Sequence, residues 1–124
     1  MKIYLSAFLR FRYYLRPSSG QKDNLYVLTN AQVTRVLIEK WGKRAYGVEL
    51  IDKDGIKRKF SANNEIILTA GAIGSPQILL NSGIGPKKDL EALGITLFKD
   101  LPVGKNLQNH VSIGIKVIIN KRVP

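Results

Sequence analysis

The stretch from Glu65 to Gly85 constrains this chain more than any other. It opens on Glu-Ile-Ile-Leu-Thr, apolar on successive residues, as in a strand of a sheet buried on both faces. Ala70-Gly71-Ala72 follows, a sharp turn in which no side chain exceeds a methyl group. Ser75 is then a good N-cap and Pro76 fits the first helical position. Ile78, Leu79 and Leu80 supply the buried face, and Gly83 suits the helix end. A strand–small turn–helix unit is the reading. The junction lets another body approach the backbone closely, and the helix start offers free N–H groups and a partial positive charge to an anion. Small residues at such a junction also serve plain internal packing, and the residues alone leave both readings open.

The rest of the chain reads as strands and turns around this unit. Residues 1–16 are aromatic and basic with a helix-like spacing of Leu5, Phe8, Leu9 and Arg12, and residues 17–24 form a loop. Leu25–Leu28 predicts a short strand and Ala31–Glu39 a longer one rich in Val, Thr and Ile. After a turn at residues 41–44, Ala45–Ile51 and Ile56–Phe60 predict a hairpin about Asp54-Gly55, a pair that tolerates the positive φ of a two-residue turn. A second short helix has Pro86 near its start, Leu90 and Leu93 as apolar positions and Gly94 closing it. Ile95–Lys99 predicts a brief strand, Leu101–His110 a loop and Val111–Asn120 a last strand. The fold class is α/β (α+β mixed), with strands, a β-hairpin and two short helices.

A chain of 124 residues makes at most one domain. It has no cysteine, which excludes disulfides, Cys-ligated zinc, Fe–S clusters and thiol nucleophiles. Its net charge of +11 invites a nucleic-acid or anionic-membrane reading. The placement argues against it. Lys2, Arg10, Arg12, Arg16 and Lys22 fall in an acid-free start, and the other bases scatter, with small clusters at Lys43-Arg44 and Lys57-Arg58-Lys59. No RNA-recognition, zinc-finger or helix-turn-helix signature accompanies them, so no specific nucleic acid is expected as partner. No apolar run is long enough for a transmembrane segment.

Several motifs in one order carry a resemblance. Gly71-Ala72-x-x-Ser75-Pro76-x-Ile78-Leu79-x-x-Ser82-Gly83-Ile84-Gly85 is similar to the second signature of the glucose–methanol–choline (GMC) oxidoreductases, FAD-dependent alcohol oxidases and dehydrogenases. Leu15-Arg16-Pro17 with Asn24-Leu25, Ala31-x-Val33, Arg44-Ala45-x-Gly47-Val48-Glu49, and Leu101-Pro102-Val103-Gly104-x-Asn106-Leu107-Gln108-x-His110 resemble further family stretches. The resemblance covers residues 13–120, leaving 1–12 unassigned and 121–124 as a tail. It implies a partial FAD-binding domain, an internal fragment of an enzyme that oxidises the CH–OH group of a small-molecule alcohol or sugar by hydride transfer to flavin. It also implies that Val33 contacts the adenine through its main-chain N–H and C=O. Ala70, Gly71 and Ala72 would lie near the nucleotide, and Asn106 in a loop packed near the cofactor. Asn109 departs from the family's Asp, which keeps a polar acceptor and removes a charge.

The family's Gly-x-Gly-x-x-Gly turn and its catalytic His with a second His or Asn have no counterpart in this sequence. The single histidine, His110, matches the loop motif, so no catalytic residue is assigned. Neither Asp52 with Asp54 nor Asp89 with Glu91 reads as a paired-carboxylate site. The expectation is a chain that neither retains FAD nor oxidises alcohols alone. A stand-alone nucleotide-binding or interaction module, without catalysis, is the alternative, and a basic nucleic-acid binder the less favoured one.

Overall fold

A computed structural model describes residues 2–6, 26–41 and 44–115. Among the described residues seven strands and two helices follow in chain order: β1 (Lys2–Ser6), β2 (Gln32–Ile38), β3 (Ala45–Ile51), β4 (Lys57–Ser61), β5 (Glu65–Thr69), α1 (Gly71–Asn81), β6 (Ile84–Gly85), α2 (Lys87–Ala92) and β7 (Lys99–Asp100). They form a parallel pair β1–β5, an antiparallel sheet β2–β3–β4 and a small parallel pair β6–β7. The mixed α/β class is the one expected.

The antiparallel sheet follows from period-2 patterning. Val36 pairs with Val48 and Val48 with Phe60, while Arg35 pairs with Glu49 and Glu49 with Lys59. Around Val48 one face is therefore apolar and around Glu49 the other is charged, while nearer the hairpin loop Arg58 stands opposite Leu50. Val36, Val48 and Leu50 are buried on the apolar side, and α1 packs against β2 and buries Ile78. At the C-terminal end of α1, Gly83 adopts φ +82°, and any side chain there would overlap the carbonyl of Thr96. Its own carbonyl accepts the N–H groups of Phe98 (2.7 Å) and Lys99 (3.1 Å), which draws β7 against β6. The Ser82–Gly85 end of the motif is thus small because the chain packs upon itself there.

Several expectations are corrected. Helix α1 begins at Gly71, not at Ser75, so the Ala-Gly-Ala turn is its first turn. Ser75 does not cap the following amides; its Oγ reaches back to accept the Ala70 N–H (3.0 Å). Pro76 lies inside the helix and has no N–H to offer the Ala72 carbonyl one turn earlier. Lys2–Ser6 is a strand where residues 1–16 have a helix-like spacing, because its backbone finds a parallel partner in β5, Lys2 opposite Glu65 and Ser6 opposite Thr69. Residues 7–25 lie outside the described residues.

Tyr26, Val27 and Leu28 form no strand and are exposed. The hairpin turn is a three-residue loop, Lys53–Gly55: Asp52 N–H bonds Ile56 O (3.0 Å) and Gly55 takes φ +76°. Asp52 Oδ1 accepts the amides of Asp54 and Ile56 inside it. Of Ile95–Lys99 only Lys99 is in a strand, since Ile95 N–H is drawn to the α2 carbonyl of Leu90 (2.9 Å). Strand β5 is half-buried beyond Glu65 rather than covered on both faces. Residues 111–115 have no regular structure, and Lys116–Asn120 lie outside the described residues.

Candidate functional site

Strand β5 delivers the chain to the Ala70–Ala72 turn with its backbone in an unusual state. Gly71 has φ +88°, a region that L side chains rarely adopt. A Cβ built there meets no atom within 4 Å, so glycine is required by conformation and the space beside it is open. Gly71 and Ala72 are exposed, Ala70 half-buried. No acidic side chain lies in the first turn of α1 and no side chain caps it. The result is a shallow, methyl-lined surface bordered by free helix N–H groups, suited to a flat or anionic body.

Val33 sits on β2, half-buried and opposite Leu50. The register slips immediately after it: Val33 pairs with Leu50, yet Arg35 pairs with Glu49, the next residue along β3. Thr34 is the extra residue of a β-bulge. Hydrogen bonds from β3 and from the C-terminal end of α1 land on this irregularity. Thr34 Oγ1 donates to the Glu49 carbonyl (3.1 Å) and lies 3.5 Å from Glu49 Oε1. The Arg35 guanidinium donates to Glu49 Oε2 (3.0 Å). From α1, Asn81 Nδ2 donates to the Thr34 carbonyl (3.2 Å), and Ser82 Oγ accepts the Val36 N–H (2.8 Å) while donating to Ile78 O (2.6 Å). Glu49 is only 8% exposed. The Arg35 hydrogen bond first, and the charges of Arg35, Lys57 and Lys59, hold its carboxyl below the ordinary glutamate value against the cost of burial.

Helix α1 links the two places. Its first turn is the Ala70–Ala72 surface and its last residues are bonded beside Val33, about 15 Å away at 1.5 Å rise per residue. Asn106 stands apart. It lies in the exposed loop after β7, where its Oδ1 accepts a bond from Gln108 Nε2 (3.3 Å). Among the described residues no hydrogen bond ties it to Val33 or to the turn. That loop is anchored elsewhere, by Lys105 Nζ to Asp89 Oδ2 (2.7 Å). Thr34, Arg35, Glu49 and Asn81 were not legible as site residues. The one available signal was Glu49 itself, an acid set between Val48 and Leu50 in an otherwise apolar run. Among the described residues there is no cluster of potential metal ligands, and no helix is long and apolar enough to cross a membrane.

Comparison with known proteins agrees with these motifs. The family model described as GMC oxidoreductase matches residues 10–112. Glucose dehydrogenase [FAD, quinone] of Drosophila pseudoobscura pseudoobscura is 47% identical over 102 residues, 82% of this chain and 16% of that protein. Alcohol dehydrogenase [acceptor] of Pseudomonas putida is 41% identical over 105 residues, 83% of this chain and 19% of that protein. A solved FAD-dependent oxidoreductase from Chaetomium thermophilum superimposes with a TM-score of 0.65 at 41% identity, over 75% of this chain and 16% of that one. The chain thus spans less than a fifth of the length of these relatives. With the family model covering most of its length and the motifs in order, the chain belongs to the GMC oxidoreductase family.

Proposed function

We propose that this chain forms one wall of an FAD site in an oxidoreductase acting on the CH–OH group of a small-molecule alcohol or sugar, with residues 13–120 as part of the FAD-binding domain. Val33 offers its main-chain N–H and C=O to the adenine edge, a donor and acceptor pair like that of a base. Ala70, Gly71 and Ala72 lie against the nucleotide, and Asn106 packs beside the cofactor in its loop. The observation that carries the reading is the turn: methyl-only, open above Gly71 and fringed by free helix N–H groups. The bulge at Thr34 supports the adenine contact, because one extra residue reverses which strand edge the preceding peptide groups face. FAD, when bound, accepts the hydride that leaves the alcohol carbon.

The chain by itself retains no flavin and turns over no alcohol or sugar. Its surface supports that reading. Among the described residues fourteen large hydrophobics are exposed, including Trp41, Ile73, Leu107, Val111, Ile113 and Ile115, against six buried apolar residues. Apolar side chains left in water in this number, beside so small a core, favour burial against a further surface. Amide shifts of the ¹⁵N-labelled chain during titration with ADP test the site. Shifts centred on Val33 and on Ala70–Ala72 are expected; shifts elsewhere, or none at saturating ADP, would refute it. A yellow purified chain with a flavin spectrum and alcohol turnover would refute the inactivity.

A further inference from the structure

We infer that Glu49 is the positioning residue for Val33: by gripping Thr34 and Arg35 it fixes the β-bulge that sets which way the Val33 peptide groups face. This rests on the adenine reading of Val33 above. Three observations carry it. First, the register slip lies between Val33 and Arg35, so Thr34 is the residue the antiparallel ladder leaves unpaired. Second, Glu49 is the residue that touches both sides of the slip. Its carbonyl accepts the Thr34 hydroxyl, its Oε1 lies beside the same hydroxyl, and its Oε2 takes the Arg35 guanidinium. Third, Glu49 is the buried charged residue among the described residues. A carboxylate is costly to bury without partners, and both of the partners found here belong to the bulge.

Physical necessity runs in one direction. A bulge forgoes regular ladder bonds and persists only where other bonds compensate. On the α1 side, Asn81 and Ser82 hold the Thr34 carbonyl and the Val36 N–H. On the β3 side Glu49 holds the Thr34 hydroxyl and the Arg35 guanidinium. Without its carboxylate, Thr34 can return to the ladder, the register shifts by one, and the peptide groups of Val33 turn to the opposite edge.

The test uses the whole ¹⁵N-labelled chain, the variants Glu49→Gln, Thr34→Val and Thr34→Ser, and Asp52→Asn as a control, a carboxylate just past the C-terminal end of β3 whose partners lie in the hairpin loop and β4 and not in the bulge. Amide hydrogen exchange and ADP titration are read on each. In Glu49→Gln the Val33–Arg35 amides exchange at least tenfold faster, those of Lys57–Ser61 keep their rates, and ADP affinity falls about tenfold. Thr34→Val does the same to a lesser degree, and Thr34→Ser restores both; Asp52→Asn leaves bulge and affinity unchanged. Bulge amides that keep their rates in Glu49→Gln and Thr34→Val overturn the proposal. So does a loosened bulge with undiminished ADP affinity, which makes Glu49 structural only. If ADP at saturation leaves the Val33 amide of the unmodified chain unmoved, the adenine reading itself fails and takes the positioning role with it.

Discussion

The α1–β2 junction and the segment 101–112 lie in the same family-matched region, yet they are held in opposite ways. At the junction, side chains from three elements converge: Asn81 and Ser82 from the helix, Thr34 and Arg35 from β2, Glu49 from β3. In the segment most bonds are local, apart from Leu101 N–H to the Gly85 carbonyl (3.3 Å) and Lys105 Nζ to Asp89. Val103 N–H reaches Leu101 O (2.8 Å), Lys105 N–H reaches Pro102 O (3.2 Å), and Gln108 meets Asn106. Leu107, Val111 and Ile113 project into solvent. A family motif can therefore be written for either of two reasons. Around α1 the residues answer to neighbours within this chain. In the segment the described residues provide few such neighbours, and the sequence there answers to something else.

Glycine substitution breaks the comparison most sharply. Gly83 and Gly104 have nearly equal φ, +82° and +80°. A Cβ on Gly83 overlaps the Thr96 carbonyl and crowds Phe98, whereas one on Gly104 meets nothing within 4 Å. Gly83→Ala is expected to destabilise by about 4 kcal/mol, combining left-handed strain with overpacking, and Gly104→Ala by about 1 kcal/mol from strain alone. Urea midpoints measured side by side decide this. Equal losses would mean that the segment is as tightly packed as the helix end.

A leucine pair gives the next largest contrast. Leu90 is 0% exposed and Leu107 65% exposed. Leu90→Ala is expected to cost about 3 kcal/mol and Leu107→Ala less than about 0.5 kcal/mol. Ser82→Ala follows, at about 1.5 kcal/mol, since it leaves the Val36 N–H without its acceptor. Asn106→Ala, which removes only an exposed bond to Gln108, should leave the urea midpoint where it was. A large loss in Asn106→Ala would place that residue in the fold rather than at a cofactor.

Legibility in the sequence follows the same division. Strands β2, β3 and β5 were readable because β-branched and apolar residues alternate or cluster there. Helix α1 was readable in existence but not in its start. Ser75 and Pro76 look like a cap and a first helical residue, and nothing local reveals that Ser75 instead bonds backwards to Ala70. Strand β1 was hidden because its partner is β5, far along the chain, and local spacing carries no trace of parallel pairing. Residues 26–28 have strand composition without a strand partner. The turn at Ala70–Ala72 was visible as a run of small residues, whereas the Glu49 grip on Thr34 depends on register, which no single segment encodes.

Acid pH sharpens the comparison by the smallest effect. Glu49 and Asp52 both lie on or beside β3 and both titrate below their ordinary values of 4.5 and 3.8. For Glu49 the leading cause is the Arg35 hydrogen bond, with Lys57 and Lys59 facing it from β4; for Asp52 it is the Arg58 hydrogen bond, then the Ile56 amide. A carboxyl lowered in the folded state contributes stability that is complete above its unfolded value. That stability is lost as pH falls through the folded one. Stability should thus be flat in these groups above about pH 5 and decline below it. The decline is shallow, because Arg35 and Arg58 are each about half exposed and water screens both pairs. Segment 101–115 has no Asp or Glu to titrate, although Lys105 borrows Asp89 from α2. Amide exchange read from pH 6 to 3.5 should therefore loosen the Thr34 bulge and the Lys53–Gly55 loop before the segment's own turn at Val103–Lys105. In Glu49→Gln the bulge should already be loose at pH 6 and respond little to acid. A bulge that stays equally protected across that range would show that the carboxylate charge contributes nothing there, leaving the hydroxyl–carbonyl bond of Thr34 to hold it.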